Sequence, residues 1–205
     1  FKNQKEMINQ IKNIHNVYSK QNIIIPDWAQ PTFIIGFPRS GTTLLDTILR
    51  SHSKINVIEE QPMVAKMENE ISQFSKISFV EEINFILAKK LSYQYFKELK
   101  KHCVLEKDKI IIDKYPLNIL KIPLINRIFP NSKFILAIRH PLDCVMSCWM
   151  QNFYLNAPMA NMVDLNRIVD LYIIIMDTFN YLEKRYSLNF LKVRYEDIVN
   201  NFEKE

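Results

Sequence analysis

The chain has 205 residues, 48% of them hydrophobic and 24% charged, with a net charge of +5. That is enough apolar material for one sizeable core and too little charge bias for a disordered tail. The basic excess suits an anionic ligand, but Lys and Arg are scattered, so nucleic acid is not an expected partner and a solvated surface is the simpler explanation of the charge.

The first predicted element is an amphipathic helix, with Met7, Ile8, Ile11, Ile14 and Val17 at helical spacing. Asn22 to Pro31 carries two prolines and reads as a connector, so residues 1–30 form a helix-plus-connector segment and 31–205 one domain. Strands are expected at Thr32–Gly36, Asn56–Ile58, Lys109–Asp113, Lys133–Ile138 and Phe190–Arg194. Helices are expected at Thr42–Ser51, Met63–Phe74, Phe79–His102, Leu117–Ile128, Pro141–Gln151, Asp164–Tyr186 and Glu196–Phe202, with a loop over Tyr154–Val163. This alternation predicts an α/β fold, a P-loop-type parallel sheet flanked by helices. Ligands of such sheets sit beyond the carboxyl ends of the strands, which directs attention to Phe37–Thr43, Glu59, Glu60, Lys114 and Arg139.

The three cysteines, Cys103, Cys144 and Cys148, are too few and too oddly placed for a disulfide framework or a metal site, and read as small apolar residues. The longest apolar run, Leu171–Met176, is far below the ~18–20 residues of a membrane span, and the polar start lacks the apolar core of a signal peptide. A cytoplasmic protein without a membrane span is the expectation.

Only two glycines occur, Gly36 and Gly41, and both lie in one strand-to-helix turn, Gly36-Phe37-Pro38-Arg39-Ser40-Gly41-Thr42-Thr43. The spacing is that of a phosphate-binding loop, except that Thr42 stands where nucleoside triphosphatases place a lysine for the β- and γ-phosphates. Backbone amides and a helix N-terminus bind an anion without that lysine, and Arg39, Ser40, Thr42 and Thr43 add donors. A ligand without a triphosphate fits better than ATP. The alternative is a helix entry that binds nothing.

The stretch Phe33–Leu45 resembles the 5′-phosphosulfate loop of sulfotransferases that use 3′-phosphoadenosine 5′-phosphosulfate (PAPS). The chain resembles the tyrosylprotein sulfotransferase-like branch, and especially bacterial sulfotransferases carrying tetratricopeptide repeats, from about Pro31 to Phe202. Asp113-Lys114-Tyr115-Pro116, Phe129–Phe134, Arg139-His140-Pro141-Leu142-Asp143, Met150–Phe153 and Val193–Asp197 complete the ordered set. The resemblance implies PAPS as donor, adenosine 3′,5′-bisphosphate as product, no metal, and a hydroxyl or amine acceptor that could be peptide tyrosine, carbohydrate or a small molecule.

Residue by residue, the resemblance assigns Arg39, Ser40, Gly41, Thr42 and Thr43 to the 5′ end of the donor. Arg139 and Ser147, eight residues apart across a strand end and a helix, are assigned to its 3′-phosphate. Glu60 is implied as general base and Lys114 as the cation at the bridging oxygen; Glu59 matches an acidic position of open role. Pro62 departs from the tyrosylprotein branch, which has an arginine there. The bland alternatives are Arg139 paired with Asp143, a solvated Glu59–Glu60 pair at a helix start, and a surface Lys114 paired with Asp113 or Glu106. His15, His52 and His102 match no catalytic position, and His140 is a reserve base. The rival functions are a P-loop kinase-like phosphotransferase and a non-catalytic nucleotide-binding or interaction module.

Overall fold

The computed structural model describes residues 30–73, 80–151 and 164–201, with the side chain of residue 81 excluded. The expected N-terminal helix, most of the connector and the expected 154–163 loop lie outside the described residues. Five strands, β1 (Thr32–Gly36), β2 (Ile55–Glu59), β3 (Ile110–Lys114), β4 (Lys133–Ile138) and β5 (Phe190–Arg194), form one parallel sheet in the order β2-β3-β1-β4-β5. The α/β class and the parallel sheet are as expected.

The central strands read as near-continuous apolar runs because helices cover both faces. Alternation sorts their side chains. Phe33 and Ile35 point into a large core with Met63, Leu91, Tyr95, Phe129, Phe134 and Phe179, while Ile34, Val57, Ile112 and Ala137 meet Leu45 and Ile198 on the other face. Phe33, Tyr95, Phe129 and Phe134 pack ring to ring at centroid distances between 4.9 and 6.4 Å. Each such pair adds roughly 0.5–1.5 kcal/mol beyond its buried area.

The helices are α1 (Thr42–Arg50), α2 (Met63–Ser72), α3 (Phe85–Leu99), α4 (Ile122–Ile128), α5 (Pro141–Trp149), α6 (Leu165–Tyr186) and α7 (Tyr195–Asn200). Most match the expected spans to within two residues at either end, and two depart further. The helix expected from Phe79 starts at Phe85, because Asn84 caps it by accepting from the Leu87 amide at 2.9 Å. The single helix expected over Leu117–Ile128 is a 3₁₀ segment, Pro116–Lys121, followed by α4. Pro123 lacks an amide proton and is tolerated only in a first turn, so the α-helix restarts there. Asp164 caps α6 through the Arg167 amide at 3.0 Å, and Ser187, at φ 45°, ends it in the left-handed region. No described helix is long and apolar enough to cross a membrane.

The sheet register places Gly36 beside Ala137, Glu59 beside Lys114 and Ile138 beside Arg194. The strands therefore finish along one edge, and the turns after them share one neighbourhood.

One buried group has a pH consequence. Asp113 is fully buried and accepts the Tyr95 hydroxyl at 2.9 Å, and burial pushes its carboxyl up to about 7, with the Tyr95 hydrogen bond acting in the opposite direction. The folded chain holds a proton there that the unfolded chain releases near pH ~4. The stability tied to this proton is intact below the unfolded value and is lost as pH rises through about 7. Asp113→Asn should flatten that slope. In urea unfolding, wild-type stability should fall between about pH 4 and 8 by on the order of a few kcal/mol more than the variant's. Parallel pH dependences would assign the titration to another group.

Candidate active site

The turn between β1 and α1 needs both of its glycines, each for a different reason. A Cβ on Gly36 would lie 2.7 Å from the Ala137 carbonyl oxygen and 2.8 Å from Ser40 Oγ, so close packing against β4 requires its absence. Gly41 sits at φ 94°, and a Cβ there would come within 2.6 Å of the Tyr195 ring. Arg39 is also left-handed, at φ 68°. Its carbonyl accepts from Arg139 Nη1 at 3.4 Å and from the Cys144 thiol at 3.8 Å, while the Cys148 thiol donates to the Pro38 carbonyl at 3.5 Å. Both thiols are pushed up to about 12, chiefly by burial, so they serve as neutral packing and weak donors beneath the loop.

No side chain caps α1. The first amides of a helix lack intrahelical partners, so Thr42, Thr43 and Leu44 present donors and the positive end of the helix dipole to the space in front of the loop. That space is a cleft of about 510 Å³, walled by Pro38, Arg39, Gly41, Thr42, Thr43 and Leu44. Glu60, Tyr115, Pro116, Leu117, Arg139, Gln151 and Tyr195 complete the wall.

Six of the residues singled out in the sequence thus meet at one cleft: Arg39, Gly41, Thr42, Thr43, Glu60 and Arg139. Ser40 does not line it. Its buried hydroxyl lies against Gly36, and its amide closes the turn onto the Phe37 carbonyl at 3.1 Å. Ser147 is absent from the wall too. It accepts from Arg39 Nε at 3.0 Å and is not hydrogen-bonded to Arg139. Arg139 lies 4.6 Å above the Tyr195 ring, a cation–π contact. Its Nε is 3.9 Å from Asp143 Oδ2, beyond hydrogen-bonding reach, and is a buried donor with no acceptor among the described residues. The Asp143 pairing weighed in the sequence is therefore a loose one.

The acidic pair and the lysine are more tightly joined than the sequence indicates. Lys114, the last residue of β3, has a fully buried side chain. Its Nζ donates to Glu59 Oε1 at 2.7 Å and Glu60 Oε1 at 2.9 Å. The alternative weighed for Lys114, a surface pairing with Asp113 or Glu106, does not occur: Asp113 bonds Tyr95, and Glu106 pairs with Lys109. Nor do the two glutamates cap a helix, since α2 begins after Pro62. The Lys114 hydrogen bond holds the Glu59 carboxyl below the usual carboxylate range, and the positive charge of Arg50 helps. Glu60 is left-handed at φ 49°, an uncommon conformation for a residue with a Cβ, and its amide donates to the Lys114 carbonyl at 2.8 Å.

Sequence reasoning missed Tyr195 and Glu196 as parts of this site. Tyr195 fills the place that Gly41 leaves open and carries Arg139 on its ring. Glu196 Oε1 accepts the His140 amide at 2.8 Å, which lowers the Glu196 pKa and ties the turn after Arg139 to α7. The signal was the aromatic–acidic pair directly after a strand. Tyr115, beside Lys114, was also passed over; burial and the nearby Glu60 charge raise its pKa. Of the histidines, His52, His102 and His140 lie off the cleft wall, and His15 is outside the described residues. No group of three or more His, Cys, Asp or Glu among the described residues could hold a metal ion.

The chain belongs to the sulfotransferase family, whose sequence profile matches residues 31–205. An uncharacterized protein of Aquifex aeolicus (strain VF5) is 35% identical over 133 residues, 60% of this chain and 17% of that protein. Sulfotransferase STF9 from Mycobacterium avium superposes with a TM-score of 0.55 at 12% identity, covering 85% of this chain and 61% of that one. The sulfotransferase domain from the curacin biosynthetic pathway gives 0.53 at 21% identity, over 85% and 70%. A sulfotransferase from Alicyclobacillus acidocaldarius gives 0.53 at 14%, over 86% and 77%. These structures share the fold. The chain spans less than two thirds of the length of the Aquifex protein and of STF9.

The loop geometry is testable by its two separable costs at Gly41. Gly41→Ala should destabilise the chain through the left-handed backbone, by roughly 1–2 kcal/mol, and through the clash with Tyr195. Adding Tyr195→Ala should lift the clash and leave the backbone cost. Chemical denaturation of both variants reads the two terms. A neutral Gly41→Ala would contradict the loop conformation.

Proposed function

We propose that this chain transfers a sulfuryl group from PAPS to a hydroxyl or amine acceptor by in-line displacement. What supports the reading is that Glu60, Arg39, Arg139 and the uncapped N-terminus of α1 line one cleft at the carboxyl edge of the sheet, with the buried Lys114 hydrogen-bonded behind Glu60. The residues present fit the donor. The uncapped N-terminus of α1, with Arg39, Thr42 and Thr43, suits the 5′ phosphosulfate end. Arg139 lines the cleft with a guanidinium only loosely paired to Asp143, which suits the 3′-phosphate, and a charge-assisted contact of that kind contributes roughly 1.5–3 kcal/mol. Ser147 would join Arg139 there only after Arg39 releases it, and Ser40 serves the loop's shape.

When bound, the donor supplies an activated sulfuryl group whose departure leaves negative charge on the oxygen bridging to its phosphate. Glu60 is the base. It stands at the cleft wall with its side chain 55% exposed, free to turn toward an acceptor proton. Lys114 is the cation for the bridging oxygen. In the structure described, Glu59 and Glu60 cover it. The rotation that carries Glu60 to the acceptor also removes one carboxylate from Lys114, so base delivery and exposure of the ammonium are one motion. Tyr115, Pro116 and Leu117 give the acceptor an apolar wall next to that base.

Adenosine 3′,5′-bisphosphate should raise the melting temperature of the chain, and ATP should not, because only a ligand of the native state stabilises it. Arg139→Ala should weaken bisphosphate binding at least about tenfold. No thermal shift with millimolar-scale bisphosphate would refute the reading.

Catalysis and binding separate at two side chains. Glu60→Gln should lower turnover by about 10² to 10⁴ with bisphosphate affinity little changed. Lys114→Met should lower turnover by about 10² to 10³, with little change in the affinity for PAPS, because the charge on the bridging oxygen appears only as its bond to sulfur breaks. Rate measurements beside calorimetric titration check both. Lost affinity with normal turnover would make Lys114 a binding residue.

A further inference from the structure

We propose that Glu59 is a positioning residue: it stays on Lys114 throughout the reaction and holds the ammonium charged and aimed while Glu60 leaves to act as base. The inference rests on the sulfotransferase reading and assigns a task to a carboxylate that the reading leaves idle.

The two glutamates contact the same nitrogen but are held differently. Glu59 is the register partner of Lys114 across β2 and β3, so the parallel ladder itself sets the two side chains next to each other on one face of the sheet. Its second oxygen, Oε2, lies 3.8 Å from Arg50 Nη2. Arg50 is in turn fixed by Asp46, whose nearly buried carboxylate accepts from Arg50 Nη2 at 2.8 Å through each oxygen and from Nε at 3.0 Å. Glu59 thus sits in an alternating row, Asp46–Arg50–Glu59–Lys114, with a cation on each oxygen. Glu60 ends that row. Among the described residues its carboxylate is hydrogen-bonded to Lys114 alone, it stands on a left-handed backbone, and it faces the cleft. One carboxylate is tethered and the other is free to rotate.

The energetics require the tethered one. Lys114 has a fully buried side chain, and a buried charge stripped of its partner costs several kcal/mol or loses its proton. If Glu60 were the sole counterion, its rotation toward the acceptor would remove the compensation when the ammonium is needed. Protonation of Glu60 by the acceptor would then make the loss complete. With Glu59 in place, Lys114 keeps a hydrogen bond of 2.7 Å and a neutralising charge through both events. Its remaining donors are then available to the leaving oxygen.

The test is a kinetic cycle on the full chain with PAPS and an acceptor that the wild type sulfates. Glu59→Gln should lower kcat by about 10- to 100-fold, the size of effect that follows removal of an outer partner orienting a reacting group. KM for the acceptor and the Kd for PAPS should stay within about twofold, which a merely structural role would not ensure. Glu59→Asp, which keeps the charge, should recover part of the rate. In a Lys114→Met background, Glu59→Gln should cost nothing more, because it acts through that lysine. A normal kcat for Glu59→Gln, or an added loss in the Lys114→Met background, overturns the proposal. Should Glu59→Gln fold poorly, seen as a lost thermal response to the bisphosphate, Arg50→Gln and its Lys114→Met double variant are read in the same way. Absence of any transfer by the wild type overturns the sulfotransferase reading itself, a result distinct from transfer that ignores Glu59.

Discussion

A lysine buried to zero exposure at the end of a central strand is the constraint around which this edge of the sheet is arranged. Its side chain is out of water, so opposite charge must be brought to it with good geometry. The structure meets the demand twice, through the β2–β3 register for Glu59 and through a left-handed turn for Glu60. The second solution is strained, and strain that survives in a fold is held there by its surroundings. Here the Glu60 amide extends the ladder to the Lys114 carbonyl, so backbone and side chain of one residue both bind Lys114.

The opposite wall of the cleft obeys a different constraint, close approach. Phe37 is buried against Tyr172, and two α5 thiols reach the carbonyls of Pro38 and Arg39. Tyr195 and Glu196, the first residues of α7, brace Gly41 and the Arg139–His140 turn. The loop, the strand-end arginine and α7 therefore form one mechanical unit, although the loop and α7 lie more than 150 residues apart in the chain. Opposite them stands a unit of charge, β2 and β3 with Glu59, Glu60 and Lys114. The cleft lies where the two units face each other.

Much of this was legible in the sequence, for identifiable reasons. The three central strands β1, β3 and β4 announced themselves as Ile- and Phe-rich runs, because strands covered on both faces need apolar residues at nearly every position. The loop was legible because a chain with two glycines places both within six residues. What stayed hidden depends on contacts between distant segments. No spacing rule tells that Glu59 and Lys114 would be register partners, or that Arg39 rather than Arg139 would take Ser147. The split of the expected Leu117–Ile128 helix was a local effect that periodicity masked, since Pro123 interrupts the hydrogen bonds and not the apolar pattern. Asp113 read as a neighbour for Lys114 because the two are adjacent, but alternation along β3 sends them to opposite faces.

The central claim is that Glu60 and Lys114 perform chemistry at a nucleotide cleft rather than stabilising a strand end. The most direct measurement follows radiolabelled sulfur from PAPS into an acceptor mixture of phenols, tyrosyl peptides and oligosaccharides, with the wild-type chain and the Glu60→Gln variant side by side. The account predicts that label leaves the donor, appears on an acceptor with stoichiometric release of adenosine 3′,5′-bisphosphate, and slows by at least about a hundredfold in the variant. Transfer at an equal rate in both chains, or no transfer by a wild type that still binds the bisphosphate, would contradict it.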